Sequence, residues 1–320
     1  MLHNTTLSFI GSGTMAEAMI RGLLHRRLIV PERILASGPR PERGEELQRQ
    51  YGVRWTTDNR EAAQGADIVV LSVKPQVLPG VLSELAGTLQ PEQLVLSIVA
   101  GARIEYIARV LNHEAIVRAM PNTPAQIGEG MSVWTATPAV TPQQREQARW
   151  LLSALGKELF VHDEDSIDMA TAVSGTGPTY VFLVMEALVD AAVHLGFSRR
   201  VAQELVIQTV IGSALFARES GKHLAELRNM VTSPGGTSAE AIYQLEKGGL
   251  RTVISKAVWA AYQKSRLLGE MVGAGRPRPI SPLESPGLTH WNSSGADRPA
   301  QTWGNAGRVL EADPTARPLK

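Results

Sequence analysis

Cysteine is absent from the whole chain of 320 residues. That excludes disulfides, thiolate metal sites and a cysteine nucleophile, and it fits a reducing cytoplasm. Net charge is also missing: 32 Lys and Arg against 31 Asp and Glu leave +1. No field is available to recruit nucleic acid or a membrane surface. The 7 histidines are scattered without metal-ligand spacing, so no metal is expected. The opening MLHNTTLSFIG has no basic n-region or apolar h-region, so no signal peptide is read there. The apolar run from Val181 is interrupted by Glu186 and Asp190 before it can span a bilayer. The chain is expected to be soluble, cytoplasmic and long enough for two domains.

What is present divides in two. LSFIG (7–11), RILAS (33–37), IVVLSV (68–73), LVLSIV (94–99) and AIVRAM (115–120) are short apolar runs with helix-like segments between them. Continuous apolar strands alternating with helices predict an α/β domain with a parallel sheet covered on both faces. MSVWT (131–135) and KELFV (157–161), flanking a helix that begins near Pro142, are expected to extend it. From Asp163 to Glu270 only helix patterns occur. On the helix around GPTYVFLVMEALVDAAVHLG the polar residues Glu186, Asp190 and His194 recur every four positions, one narrow stripe on an otherwise apolar surface. A second copy of the chain is expected to finish that burial; a cover supplied by its own domain is the alternative. The domains are therefore set at 1–162 (dinucleotide binding), 163–270 (all-α, dimerisation and substrate) and 271–320, a Pro-, Gly- and Ser-rich tail expected to be disordered, with Trp291 and Trp303 unusual in it.

FIGSGTMAEAMIRGLL carries the pattern G-x-G-x-x-A after a strand and at a helix start. Gly11 permits the tight turn, Gly13 lets a pyrophosphate approach the backbone, and Ala16 lets the helix pack on the sheet. The helix N-terminus then offers unpaired N–H groups and a partial positive charge. An NAD site usually places an acid about 20 residues on, at the ribose 2′-hydroxyl. Here Ser37 stands there instead, followed by Arg40 and Arg43. Two guanidiniums without an opposing carboxylate predict NADPH, with NADH possible; the alternative is that both merely cap a surface helix. Three more loops follow strand ends, where ligands bind in such sheets: SVKPQ (72–76), VAGA (99–102) and MPNTPA (120–125). Lys74 and Asn122 in them are read either as cofactor contacts or as ordinary loop residues.

VTSPGGTSAEAI (231–242) reads as a helix entrance of bare backbone with no Lys or Arg. Pro234 pre-sets a turn, Gly235 and Gly236 expose N–H groups, and Thr237-x-x-Glu240 is a capping-box pattern. Such an entrance binds a small carboxylate without an arginine. Ser233 adds a hydroxyl donor.

With SGTGPTY (174–180), these motifs stand in the order and spacing of one family: IGSGTMAEAMIRG, VKPQ, MPNTPA, SGTGPTY and TSPGGTSAEAI. The chain resembles pyrroline-5-carboxylate reductase from about Leu7 to Glu270. The resemblance implies NAD(P)H-dependent reduction of that cyclic imine to L-proline, a Rossmann domain, and a helical domain that interlocks two subunits of a homodimer, often assembled further. It places Gly11, Ser12, Gly13, Thr14, Met15 and Ala16 at the pyrophosphate and Ser37 with Arg40 at the adenosine ribose. Asn59, then Ser72, Val73, Lys74 and Pro75, then Val99, Ala100 and Gly101 line the dinucleotide. Glu164, Ser233, Gly235, Gly236, Thr237 and Ser238 are implied at the substrate; for Glu164 the alternative is an acid of a solvated helix start. The family often has two threonines where this chain reads Thr237-Ser238, and Met230 replaces a polar residue of some members. No His–Asp pair or lysine base is evident, so Ser238, beside Thr237, is assigned to orient the ring nitrogen and relay a proton. Two rival functions make different demands. A 3-hydroxyacid dehydrogenase needs a lysine on the long helix, yet none lies between Lys157 and Lys222. A non-catalytic dinucleotide-binding regulator needs no carboxylate loop.

Overall fold

Ile68, Val69, Val70 and Leu71 are all fully buried. Alternate strand residues point to opposite faces, so a strand like this must be covered on both sides. In a computed structural model, which describes Leu2 and residues 4–274, it lies at the centre of one eight-stranded sheet. The strands are β1 (Leu7–Ile10), β2 (Ile34–Ser37), β3 (Arg54–Thr56), β4 (Ile68–Leu71), β5 (Leu94–Ser97), β6 (Ile116–Met120), β7 (Gly130–Ala136) and β8 (Gly156–Phe160). Their order is β3-β2-β1-β4-β5-β6-β7-β8. β1 pairs in parallel with both β2 and β4, Leu7 standing opposite Ile34 on one side and Ile68 on the other. The chain reverses its direction of strand addition there, which opens a crevice at the carboxyl ends of β1 and β4.

The two faces carry separate apolar layers. Phe9, Ile68, Val70, Leu94 and Leu96 pack with α1 (Thr14–His25), α2 (Pro41–Tyr51) and α6 (Pro142–Ser153). Ile10, Val69, Leu71 and Val95 pack with α3 (Asn59–Gln64), α4 (Leu78–Leu85) and α5 (Ile104–Leu111). The sequence reading missed β3, three residues of mixed polarity that are only partly buried. β7 and β8 do extend the sheet, but β7 runs antiparallel to β6. Residues 121–129 between them are too short a link for the crossover that a parallel neighbour requires.

After β8, every regular element of the described residues is helical. α7 (Asp165–Ala170) passes through a π-helical turn at Thr171–Gly175 into α8 (Gly177–His194). α9 (Arg199–Ser220), α10 (Leu224–Met230), α11 (Thr237–Lys247) and α12 (Leu250–Ala274) follow. α12 runs four residues into the expected tail; the rest of that tail, with Trp291 and Trp303, lies outside the described residues. α8 and α9 share a small core of Val189, Ala202 and Val206. Most of α8 is bare: Phe182 is 61% and Leu183 65% exposed, and Val189 is its only buried residue.

Candidate active site

The glycine turn is built as the motif demands. Gly11 has φ 103°, a conformation that favours glycine, and a Cβ there falls 2.8 Å from the Ser72 carbonyl oxygen. Its N–H donates to Ser37 O at 3.1 Å, and the Ser72 hydroxyl donates to Gly11 O at 2.7 Å. Gly13 is the N-cap of α1, no side chain caps that helix, and a Cβ on Gly13 meets nothing within 4 Å. The first N–H groups of α1 are thus left without a side-chain cap, while Ala16 is fully buried against the sheet. A dinucleotide's pyrophosphate fits this cradle, which the helix dipole favours.

The expected arginine pair is split. Arg43 gives its guanidinium to Glu17 and to Glu46, the latter at 2.6 Å, and its Nε donates to Ser12 O at 3.1 Å. Tyr51 adds a hydrogen bond of 2.8 Å to Glu17. Burial by itself raises the Glu17 carboxyl, but the bonds from Arg43 and Tyr51 outweigh it and hold the group below its ordinary value. Arg43 thus braces the phosphate loop from outside. Arg40, the exposed N-cap residue of α2, has no partner among the described residues and is the free cation beside β2. Ser37 is 1% exposed and donates to Asn59 Oδ1 at 2.7 Å, so its hydroxyl tethers Asn59.

The other strand-end loops gather at the same edge. Val73, Lys74 and Pro75 follow Ser72, with Lys74 exposed. Val99, Ala100 and Gly101 follow β5, and Gly101 (φ 74°) lies directly against Leu268 and Gly269 of α12. Asn122 is a strut: it donates to Ser174 O at 3.0 Å and accepts from Met131 N at 2.8 Å. Glu164 is not a solvated acid. Its Oε1 accepts from Ile104 N at 2.9 Å and pairs with Arg118 at 2.7 Å. Arg118, 1% exposed, went unnoticed in the sequence because AIVRAM otherwise reads as a plain buried strand.

The 231–242 entrance holds its turn and loses its capping box. Gly236 N–H donates to Ser233 O at 3.0 Å across Pro234 and Gly235, and Gly235 has φ 70°, the arrangement of a type II turn. That N–H is therefore spent. Gly236, not Thr237, is the N-cap, with no side-chain cap, and Glu240 instead accepts from Gln244. Among the described residues, the amides of Gly235, Thr237 and Ser238 are left open, next to the hydroxyls of Ser233, Thr237 and Ser238, which have no partner there. Among the described residues, no hydrogen bond or ion pair ties 231–247 to the sheet half, and α11 packs on α12. No cluster of three or more His, Cys, Asp or Glu suited to a metal occurs among them either.

Known proteins resemble this chain over most of its length. Residues 164–268 match the family model for pyrroline-5-carboxylate reductase dimerisation, and 6–101 match that for NADP oxidoreductase, coenzyme F420-dependent. A pyrroline-5-carboxylate reductase of Synechocystis is 44% identical over 264 residues, 82% of this chain and 98% of the relative. The solved structure of such a reductase from Coxiella burnetii aligns with TM-score 0.76 and 38% identity, covering 82% of this chain and 98% of that one. A Plasmodium falciparum pyrroline carboxylate reductase, solved with NADP bound, gives TM-score 0.76 and 32% identity over 83% and 99%. At this identity over nearly the whole length of these relatives, the chain belongs to the pyrroline-5-carboxylate reductase family.

Proposed function

We propose that this chain reduces pyrroline-5-carboxylate to L-proline using two uncapped helix N-termini, one for each anion involved. The N-terminus at Gly13 takes the pyrophosphate of NADPH, with Arg40 reading the 2′-phosphate and Asn59, Ser72 to Pro75 and Val99 to Gly101 lining the rest. The N-terminus at Gly236 takes the substrate carboxylate on the amides of Thr237 and Ser238. When bound, the nicotinamide supplies hydride to the imine carbon. The protein's part is orientation, which is sufficient for much of the acceleration when the imine arrives protonated. Ser238 holds the ring nitrogen and, when the imine arrives neutral, relays to it a proton taken from solvent, while Ser233 and Gly235 complete the cradle.

We further infer a homodimer formed through residues 163–270, capable of larger assemblies. The bare face of α8 supports this, as does the lack, among the described residues, of any polar tie between the 231–247 segment and its own sheet half. A second copy covers the apolar face and brings its 233–238 loop to this chain's cofactor. The helical stretch 165–194 is long and apolar enough to cross a membrane. Its match to a dimerisation family and the interruptions at Glu186 and Asp190 favour a protein interface and a cytoplasmic enzyme.

The observation that carries this reading is the pair of cradles lacking any capping side chain. The test is NADPH oxidation by purified protein with pyrroline-5-carboxylate, with a hydroxyacid or its oxo form, and with neither. Only the imine acid should support turnover, and Ser238→Ala should lower kcat by about 10–100-fold. Unchanged turnover in that variant removes Ser238 from the chemistry.

A further inference from the structure

Arg118 sits in the sheet, fully enclosed, yet every charge around it belongs to another part of the chain. Its Nη1 pairs with Glu164 Oε1 at 2.7 Å and its Nη2 with Asp168 Oδ1 at 2.8 Å. Asp168 is 2% exposed and also accepts from Ser265 of α12 at 3.0 Å. Arg103 adds a bond to Asp165 at 2.6 Å and lies 3.5 Å from Asp168. The cluster joins β6, the start of α5, α7 and α12. Stability alone is a poor reason for it, since a buried ion pair is often no better than apolar residues of like volume. The Nε of Arg118 is even left without a partner.

The consequence falls on Glu164. Its Oε1 is taken twice, by Ile104 N–H and by Arg118. Its Oε2 takes no hydrogen bond among the described residues, although the Arg103 guanidinium is near enough to act on the carboxylate. A glutamate at a helix start ordinarily samples several rotamers; here Oε1 is pinned twice while the side chain stays 23% exposed. Ile104, whose N–H holds Oε1, lies three residues beyond Gly101, so the carboxylate is held next to the cofactor loop after β5.

We propose that Arg118 is a positioning residue for the reaction. Its buried guanidinium fixes Glu164 so that Oε2 faces the positively charged ring nitrogen of the substrate, with Asp168 and Ser265 holding Arg118 in turn. This rests on the placement of Glu164 at the substrate. A lysine at 118 offers a point charge that cannot serve both carboxylates in fork geometry.

The test is a cycle of Glu164→Gln, Arg118→Lys and the double variant in the full-length enzyme, reading kcat and KM for pyrroline-5-carboxylate, KM for NADPH and thermal stability. E164Q should lower kcat/KM for the imine acid about 10–100-fold, the range for loss of a charged hydrogen bond, and leave KM for NADPH unchanged. R118K should move the same constants in the same direction, and the double variant should be no worse than E164Q alone. Multiplying losses, or an R118K enzyme with unaltered kcat/KM, overturn the proposal. An E164Q enzyme with parental constants shows instead that Glu164 is not at the substrate, which overturns the placement and the proposal together. If R118K does not fold, Ser265→Ala loosens Asp168 without removing a charge. It should lower kcat/KM about two- to tenfold in the parent and not at all in the E164Q background; equal losses in both overturn the proposal.

Discussion

Gly101 and Gly269 meet with no side chain between their backbones. A Cβ on Gly269 falls 2.7 Å from the Gly101 carbonyl oxygen, and one on Gly101 falls 2.8 Å from Gly269 N. The last helix of the dimerisation half thus rests directly on a loop assigned to the cofactor. Gly269→Ala should gain about 1 kcal/mol of helix propensity and lose more to overpacking, about 1–3 kcal/mol. Both groups in the clash are backbone, so relief requires α12 or the loop to shift. Thermal unfolding should occur at lower temperature and KM for NADPH should rise; an alanine enzyme more stable than its parent shows that the two elements are free to part.

The division of labour between Arg40 and Arg43 gives opposite kinetic signatures. Arg40→Ala should raise KM for NADPH about 10–100-fold, the worth of one charge-assisted contact, and leave NADH kinetics unchanged. Arg43→Lys breaks the fork between Glu17 and Glu46 and frees Ser12 O, so it should weaken both cofactors alike. Steady-state constants with each nucleotide decide this. Selective loss of NADPH in the Arg43 variant would falsify the assignment.

Much of this was legible beforehand because it depends on local pattern. IVVL and LVLS announce doubly covered strands, and Gly11 to Ala16 announce the turn between a strand and a helix. Arg43 was misjudged for a reason of distance: Glu17, its partner, lies 26 positions earlier and comes near only when α1 and α2 pack side by side. Thr237 has the spacing of a capping box, yet the turn bond from Gly236 to Ser233 starts the helix one residue sooner. Arg118 and Asp168 are 50 positions apart, and nothing in either segment signals the other. Partnerships of that kind exist only in the folded chain.

The Glu17 carboxyl predicts a pH dependence of stability. Its folded value lies below the ordinary 4.5 because the bonds from Arg43 and Tyr51 overcome the cost of burial. The folded state therefore binds fewer protons than the unfolded one near that pH. The stabilisation is present above pH 4.5 and is lost as the pH falls through the lower folded value. Glu17→Gln should flatten the acid limb of a denaturant-midpoint-against-pH curve and change little near neutrality beyond a constant offset. A variant whose acid limb parallels the parent's shows that Glu17 does not contribute to it.

Phe182 tests the covered face. Glutamate there places a charge in the middle of α8's apolar surface, where burial without a partner costs several kcal/mol. Phe182→Glu should run as a monomer in light scattering at micromolar concentration. Its NADPH affinity should survive, because the glycine cradle lies wholly within one sheet half. A dimeric Phe182→Glu enzyme places the interface elsewhere.

Mixed dimers ask whether one active site draws on two chains. Gly13→Val fills the phosphate cradle, and Gly235→Val strains the left-handed turn that shapes the carboxylate cradle. Each variant alone should be nearly inactive. If the 233–238 loop serves the partner's cofactor, a mixed dimer has one site carrying both lesions and one carrying neither. Random pairing makes half the molecules mixed, so co-expression should restore about a quarter of parental activity in a two-fold dimer. If each chain instead used its own loop, every site would keep one lesion and activity would stay at background. With a shared loop, mixed dimers purified through two different tags should show about half of parental activity per molecule, against background if each chain uses its own loop.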